Sequence, residues 1–156
     1  MLFRSELPDQ GGAGTRGRYL QLRAHLYPDA SGEKTPALSS IEVTYRQDVP
    51  PLPPATVSAK PGNGRVVVRW SEVKEADVAG YVVYYGLSAG NYFGTGAAEG
   101  DSPVFVPGAS TTGLTLNGLV NGTLYHIAVA AYDGAAPPHI GATSREQTAR
   151  PSRVTP

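Results

Sequence analysis

The chain has 156 residues, in which 13 basic residues balance 13 acidic ones, only 17% of residues are charged and Cys is absent. A neutral, charge-poor composition does not favour a nucleic-acid partner or an anionic membrane surface, because both need a basic face. Without Cys, a disulfide framework, a thiol nucleophile and a thiolate metal site are excluded, and the length fits one ordinary domain plus a remnant.

The N-terminal residues do not resemble the natural start of a protein, and we expect a fragment of a longer chain. No apolar stretch follows a basic start, so no signal peptide is predicted, and no run approaches the roughly 20 apolar residues of a membrane span. Residues 12–17, GAGTRG, match a dinucleotide-binding fingerprint. That motif needs a helix N-terminus to meet the pyrophosphate, whereas a strand is predicted next, so a flexible loop is favoured.

Two strands, each with one apolar face, are predicted in the first third of the chain. Their alternating apolar residues are Leu20, Leu22, Ala24 and Leu26, then Ile41, Val43 and Tyr45. A lone hairpin of this kind is marginal in water. The segments GRYLQLRAHL and TPALSSIEVTYR resemble the closing hairpin of a β-sandwich unit found in large bacterial and phage surface proteins. Residues 1–48 are therefore predicted to be the C-terminal hairpin of a truncated upstream β domain.

A Pro-rich segment, residues 49–54, predicts a stiff linker in polyproline conformation. Beyond it, residues 55–153 contain seven short apolar runs separated by turn residues, which is the strand count of an immunoglobulin-like β-sandwich. Alternation along the strands predicts an inner face with Val66, Val68, Trp70, Tyr81, Val83 and Tyr85. It predicts an outer face with Val67, Arg69, Val82 and Tyr84.

Residues 114–132, LTLNGLVNGTLYHIAVAAY, spell two strands and the corner that joins them. Leu114 and Leu116 alternate like a half-buried strand. The inner face of the next strand is predicted to hold Tyr125, Ile127, Val129 and Ala131. A Tyr at the start of such a strand commonly hydrogen-bonds back across the corner through its hydroxyl, and Tyr125 is expected to do so.

Several segments match one family in order, spacing and core residue types: the proline-flanked ATVSA, GRVVVRW with Trp70, GYVVYYG, LNGLVNGTLYHIAVAAYD and SREQTARP. On these segments, residues 51 to about 153 resemble a fibronectin type III domain. Asn121 stands where the family usually has Pro before the corner Gly122, and Asn tolerates turn geometry. The resemblance implies a non-catalytic spacer, adhesion platform or interaction module, like those beside carbohydrate-active and surface-attached domains in bacteria.

Residues 86–90, Gly-Leu-Ser-Ala-Gly, match the nucleophile-elbow pattern with Ser88 in the nucleophile's place. The elbow must be followed by a helix, and NYFGTGAAEGDSP after Gly90 cannot form one. No His is predicted beside Ser88 to act as its base, because the three His residues lie on separate elements. We therefore predict that the chain is not an enzyme.

The remaining polar residues predict no metal site and no cofactor. His25, His126 and His139 have no usable ligand spacing and are expected to face solvent. The carboxylates Glu99, Asp101, Asp133 and Glu146 are scattered, so no glycosidase pair is predicted. The sequon that begins at Asn121 is interpreted as a turn, with glycosylation as the alternative, and Asn63 with Gly64 is a strong hairpin-turn pair.

Four aromatic residues are predicted to be partly exposed and able to contact a ligand: Tyr84, Tyr132, Tyr92 and Phe93. Aromatic faces stack on sugar rings or anchor a protein partner. Tyr84 and Tyr132 are predicted on outward faces of neighbouring strands, where they can form one patch. These four residues are the only binding site that the sequence suggests.

The sequence therefore predicts a fibronectin type III spacer or interaction module of a larger extracellular or cell-surface protein. The alternative is an accessory carbohydrate- or host-surface-binding module of a secreted glycoside-active enzyme or phage tail protein. The expected partners are neighbouring domains of the same chain and a protein or polysaccharide. Neither nucleic-acid binding nor membrane insertion is expected.

Overall fold

The computed structural model describes residues 21–28, 30–34, 36–43 and 49–153. The chain divides into two units, Met1–Tyr45 and Arg46–Pro156. In the described part of the first unit no residue belongs to a strand, and Leu22 and Ile41 are 50% and 55% exposed. The two strands of the predicted N-terminal hairpin are not formed over these described residues, and the assignment of residues 1–48 to a truncated upstream β domain stays a prediction. Leu20, Tyr45 and the segment 12–17 lie outside the described residues.

Seven strands lie in the described residues of the second unit, and they confirm the all-β, seven-stranded prediction. They are β1 (Val57–Gly62), β2 (Arg65–Trp70), β3 (Val78–Gly86), β4 (Val104–Pro107), β5 (Gly113–Asn117), β6 (Tyr125–Asp133) and β7 (Gln147–Ala149). They make a three-stranded sheet in the order β1-β2-β5 and a four-stranded sheet in the order β4-β3-β6-β7. All pairs are antiparallel, and no described residue is helical.

The core lies between the two sheets and is built from the inward residues that alternation predicts. Its central members are Val66, Val68, Trp70, Tyr81, Val83, Tyr85, Leu116, Tyr125, Ile127, Val129 and Ala131. The rings of Trp70 and Tyr81 are 5.4 Å apart across the two sheets. Their polar atoms are also satisfied, since Trp70 Nε1 donates to the Thr111 carbonyl over 2.8 Å and the Tyr81 hydroxyl donates to the Ala109 carbonyl over 2.9 Å.

The corner between β5 and β6 has the predicted tyrosine bond. The Val120 N–H donates to the hydroxyl oxygen of Tyr125 over 3.0 Å, and the Tyr125 ring is buried. The turn between β1 and β2 lies beside this corner, because the Leu119 N–H donates to the Gly64 carbonyl. Gly64 has a φ of +63°, which a β-branched or bulky residue would adopt only with strain.

The sandwich begins earlier than the predicted linker allows. Pro51 and Pro54, which were expected in the linker of residues 49–54, are buried. The Pro51 carbonyl lies so close to Gly141 that a Cβ there would collide with it, and the Leu52 N–H donates to Glu75 Oε1 over 2.9 Å. Proline restricts the backbone but does not keep it from packing, and burial of the apolar proline rings stabilises the contact of this segment with the sandwich.

The chain enters and leaves this sandwich at opposite ends. Leu52 is bound beside the loop that follows β2, near the start of β1. At the far end of β1, the Ser152 N–H donates to the Gly62 carbonyl over 3.1 Å and the Gly122 N–H donates to the Pro151 carbonyl over 2.7 Å. The length of β1 therefore separates the two points where the chain continues.

Candidate functional site

The outer surface of the four-stranded sheet carries two pairs of aromatic rings. Tyr84 on β3 contacts Tyr92 in the β3–β4 loop, with ring centroids 6.0 Å apart. Phe105 on β4 contacts Tyr132 on β6 in an edge-to-face arrangement, with centroids 5.6 Å apart. We call these four residues the outer aromatic face.

The predicted patch of Tyr84 with Tyr132 is divided into these two pairs. Tyr84 is opposite Ala128 in the register, and Tyr132 lies four residues further along β6. Four residues of strand span about 13 Å, so the two tyrosines do not touch. Phe105, which the sequence did not single out, is 50% exposed and is the partner that Tyr132 needs for an extended apolar surface.

Small and β-branched residues fill the surface between the two pairs. Val82 and Ala130 are partners across β3 and β6, and Val82 is also opposite Phe105 on β4. Val82, Ala128 and Ala130 are all 0% exposed although alternation directs them away from the core. The aromatic rings around these positions therefore lie over apolar side chains. Val82 was predicted on the outer face of the sheet, but its side chain is buried there.

Phe93 points to a different place from the other three predicted site residues. It is 84% exposed and lines a cavity of about 230 Å³ at the end of the sandwich, together with Leu87, Val120 and Thr123. Gly94, Thr95 and Tyr125 complete the lining. Tyr92 and Phe93 are adjacent in sequence, and successive residues of an extended chain face opposite ways, so one joins the sheet surface and the other the cavity.

Glu146 joins the β3–β4 loop to the edge of the four-stranded sheet. Its Oε2 accepts hydrogen bonds from the Gly90 N–H over 2.9 Å and from the Tyr92 hydroxyl over 2.8 Å. Its Oε1 lies 2.7 Å from His126 Nδ1. The Gly90 and His126 bonds lower the pKa of Glu146. Burial and the Glu146 carboxylate raise the pKa of Tyr92 to about 12, so the Tyr92 hydroxyl stays protonated at neutral pH.

A second carboxylate organises the loop after β6. Asp133 is 1% exposed, and its Oδ1 accepts hydrogen bonds from the N–H groups of Ala135 and His139 over 3.0 Å and 2.8 Å. Its Oδ2 lies 2.8 Å from His139 Nδ1. Burial by itself would raise the pKa of Asp133, but the bonds from the His139 and Ala135 amides and from the His139 ring lower it.

Two histidine predictions are therefore corrected in part. His126 was expected to face solvent, yet only 15% of its side chain is exposed because it is bound to Glu146. His139 lies on a loop, as predicted, and is exposed, but its ring is bound to Asp133. His25 is exposed as expected. Within the described segments, no group of three or more His, Asp or Glu side chains is arranged to hold a metal ion.

Ser88 lies in an exposed turn, where it pairs with Asn91 through an isolated bridge. The strand-to-turn half of the elbow motif is therefore present, and no helix follows it in residues 91–103. His126 is opposite Gly86 in the register, two residues before Ser88. Its Nδ1 is bound to Glu146, an arrangement that sequence spacing did not indicate because the two residues are 20 positions apart. Ser88 makes no hydrogen bond to His126 in the described part of the chain.

Asn121 is engaged by the neighbouring turn. Its Oδ1 accepts a hydrogen bond from the Gly64 N–H over 2.8 Å, and its Nδ2 donates to Asn63 Oδ1 over 2.8 Å. Both amide atoms are thus bound within the protein, which agrees with the turn interpretation of the sequon. In the described residues, no helical segment has the length and apolar character that crossing a bilayer requires.

The family model for the fibronectin type III domain matches residues 51–143. The solved FN1-FN3 domains of chicken CNTN1 are 27% identical, with a TM-score of 0.56, and the match covers 69% of this chain and 34% of that one. An fn3 domain of human contactin 1 is 24% identical, with a TM-score of 0.55, covering 76% of this chain and 92% of that one. The chain thus spans about a third of the chicken protein's solved length. No curated protein sequence matches it.

Proposed function

Because the chain belongs to the fibronectin type III family, we propose that it is a non-catalytic spacer and interaction module of a larger extracellular or cell-surface protein. The observation that supports the spacer role most directly is the separation of its two connections. The chain enters beside Glu75, where Leu52 is bound, and leaves beside Gly62, where Ser152 is bound. A module connected in this way adds its length to the distance between its neighbours.

Burial at both connections supports a fixed rather than a variable length. Pro51 and Pro151 are fully buried at the two ends of the sandwich. Buried proline rings restrict the backbone directly beside the folded unit, so the chain leaves each end in a restricted direction. Neighbouring domains of the same chain are then the first partners of this module.

The spacer role is tested by a distance measurement on the full chain. Since Cys is absent, Leu52→Cys and Arg153→Cys provide two unique positions for a fluorescent donor and acceptor. We expect one narrow distance distribution that does not change with salt. A pair placed at Leu52→Cys and Ala76→Cys, on the same end of the sandwich, is the control and must give a shorter distance; Ala76 is exposed and the Glu75 side chain that binds Leu52 is retained. A broad distribution for the first pair, with an intact fold by circular dichroism, would contradict the spacer role.

Ligand binding on the outer aromatic face is the second candidate function. The half-exposed Phe105 and the pairing of Tyr84 with Tyr92 give rings that are accessible yet held in place. Rings of this kind contribute to stacking on sugars and to protein contacts at low cost in side-chain entropy. We propose a polysaccharide or protein partner for this face, as in accessory modules of secreted glycoside-active enzymes or phage tail proteins.

The binding role is tested on a glycan array and by pull-down from a surface extract. The variant Tyr84→Ala with Tyr132→Ala removes one ring from each pair, and Tyr27→Ala removes an aromatic ring that is 70% exposed in the first unit. We expect signals that the double variant loses and Tyr27→Ala retains, with both variants folded. Equal signals from all three proteins would assign the surface a purely structural role.

We also propose that the chain is not catalytic. Two points support this: it belongs to a family of non-catalytic modules, and Ser88 is neither followed by a helix in residues 91–103 nor hydrogen-bonded to His126. We expect no turnover of p-nitrophenyl esters above the rate of the Ser88→Ala variant. Turnover that Ser88→Ala and His126→Gln both abolish would overturn this part of the proposal.

A further inference from the structure

Three of the four Asn residues in the chain, Asn63, Asn117 and Asn121, are followed directly by Gly. In this dipeptide the glycine nitrogen can attack the asparagine side chain, because Gly has no side chain that hinders the approach. A bond forms from the glycine nitrogen to Cγ, the bond from Cγ to Nδ2 breaks, and Nδ2 leaves as ammonia with the proton of the glycine N–H. Water then opens the cyclic imide to aspartate or isoaspartate. This reaction, deamidation, consumes only water.

The glycine N–H controls the reaction, since its nitrogen must lose the proton to become a nucleophile. An N–H that donates a hydrogen bond within the fold must first give up that bond, and its nitrogen must then move towards Cγ. The three pairs are therefore distinguished by whether the glycine N–H is bound and by whether water reaches the asparagine side chain.

Two of the three pairs have a bound glycine N–H. The Gly64 N–H donates to Asn121 Oδ1 over 2.8 Å, and the Gly122 N–H donates to the Pro151 carbonyl over 2.7 Å. The two asparagine side chains are also bound to each other, because Asn121 Nδ2 donates to Asn63 Oδ1 over 2.8 Å. These bonds hold both pairs away from the geometry that the reaction needs.

The third pair lies at the end of β5 and is not held in this way. Among the residues that the structure describes, none accepts a hydrogen bond from the Gly118 N–H. Asn117 and Gly118 are both exposed, so water reaches them. The restraints on the side chain are the bonds of 2.7 Å from the Asn117 N–H and Nδ2 to the Glu99 carboxylate. Exposed bonds at a strand end open more readily than those of the strand interior.

We propose that Asn117 is a site of spontaneous deamidation and that the fold protects Asn63 and Asn121 from the same reaction. The product changes the surroundings of Glu99. Burial raises the pKa of Glu99, but the hydrogen bonds from Asn117 lower it below the ordinary value of 4.5. Deamidation replaces the Nδ2 donor by a carboxylate, so two negative charges face each other where a hydrogen bond was. Arg65, which is opposite Asn117 in the register, offsets only part of this repulsion.

The repulsion acts on the loop segment that covers the Tyr85 hydroxyl. The Ala98 N–H donates to the Asn117 carbonyl over 2.9 Å. On either side of it, the Ala97 N–H donates to the Tyr85 hydroxyl over 3.2 Å, and that hydroxyl donates to the Gly100 carbonyl over 2.9 Å. Isoaspartate also adds a methylene group to the main chain, which displaces the acceptor of Ala98. Deamidation should therefore loosen this segment while both sheets stay folded.

The first test follows the three sites in the full, folded chain during incubation in mildly alkaline buffer. Chymotrypsin cleaves after Leu119, which places Asn117 and Asn121 in separate peptides for mass spectrometry. We expect Asn117 to react at least about tenfold faster than Asn63 and Asn121. In the urea-unfolded chain, where no glycine N–H is held, the three rates should agree within about threefold. Equal rates in the folded chain, or a faster reaction at Asn63 or Asn121, would overturn the proposal.

A second test removes one protecting bond. Asn121→Ala takes away the acceptor of the Gly64 N–H, so Asn63 should react about tenfold faster than in the unaltered chain, while Asn117 keeps its rate. Asn91→Ala removes an exposed asparagine elsewhere and should change neither rate. An unchanged rate at Asn63, or an equal rise at Asn63 and Asn117, would show that the bond gives no specific protection and would overturn the proposal.

The effect of the product is measured with Asn117→Asp, which carries the new charge from the outset. Hydrogen exchange at the Ala98 N–H, followed by NMR, should be about tenfold faster in this variant than in the unaltered chain. Asn91→Asp is the matched control, because it adds the same charge at an exposed position outside the segment. Equal exchange rates in the two variants would overturn the predicted loosening.

Discussion

The side-chain oxygen of Asn121 accepts a hydrogen bond from the Gly64 N–H over 2.8 Å, which joins the β5–β6 corner to the β1–β2 turn. These residues are 57 positions apart in sequence. The same amide donates to Asn63, so one side chain satisfies two polar groups of the facing turn. Asn121 thus contributes a tertiary contact at the position where the family usually has Pro, whose side chain has no hydrogen-bonding group.

We predict that Asn121 and Asn63 are energetically coupled. Asn121→Ala should lower the free energy of unfolding by about 1–2 kcal/mol, because both hydrogen bonds are lost and the Gly64 N–H is left without its partner. Asn63→Ala should cost less, since only one bond is lost. Urea unfolding of the single and double variants completes the cycle, and a coupling energy of about 0.5 kcal/mol or more is expected. Additive effects would show that the bond between the two side chains contributes nothing.

Tyr125→Phe tests the corner bond with almost no change in packing. Loss of the hydroxyl that accepts the Val120 N–H should destabilise the domain by about 1 kcal/mol in chemical denaturation. Tyr84→Phe is the matched control, because its hydroxyl makes no hydrogen bond among the described residues. If the two variants have the same midpoint, the corner bond does not stabilise the fold.

Asp133 should make stability depend on acid pH. Its pKa in the folded state is lowered below the ordinary value of 3.8, so its contribution is complete above that value and is lost as the pH falls through the folded-state pKa. Asp133→Asn should therefore cost about 2 kcal/mol at neutral pH. Between about pH 5 and 2 its unfolding free energy should fall less than that of the unaltered chain. Parallel curves for the two proteins would rule out a role for the Asp133 charge.

Glu146→Gln should release the Tyr92 hydroxyl from its raised pKa of about 12. Burial would still hold the pKa above the ordinary value of 10.0, but the negative charge that opposes ionisation would be gone. Carbon-13 NMR of labelled tyrosine rings during an alkaline titration measures this shift. Glu99→Gln removes a carboxylate that is bound to Asn117 instead, and it should leave Tyr92 unchanged.

Strand periodicity correctly predicted burial for residues whose side-chain direction is set by their position within one strand. Trp70, Tyr81 and Tyr125 are buried as alternation and the corner pattern indicated, because a period of two assigns each side chain to one face. Periodicity did not predict that Val82 is buried. It lies on the outward face but is covered, because the register brings Phe105 and Ala130 beside it, and pairing between strands is not contained in the periodicity of any one of them.

Which polar side chains contact each other depends on the pairing between strands even more than the burial of apolar side chains does. Glu146 and His126 meet because the segment before β7 runs along β6, and neither residue stands out by sequence spacing. The grouping of three cations on the outer surface of the three-stranded sheet was not predicted, for a different reason. Net charge sums over the whole chain, whereas Arg65, Arg69 and Lys60 are grouped by cross-strand pairing onto one surface. The composition gives the net charge of the chain, which is zero, but not how the charged residues are distributed over its surface.

The opposite positions of the two connections also determine how the domain responds to mechanical force. A pull on Pro51 and Pro151 acts along β1, and the hydrogen bonds between β1 and β2 lie across that direction. These hydrogen bonds are therefore loaded together in shear, and they are not broken one after another. A protein that carries this module under tension would keep its neighbours connected through a folded element that resists extension.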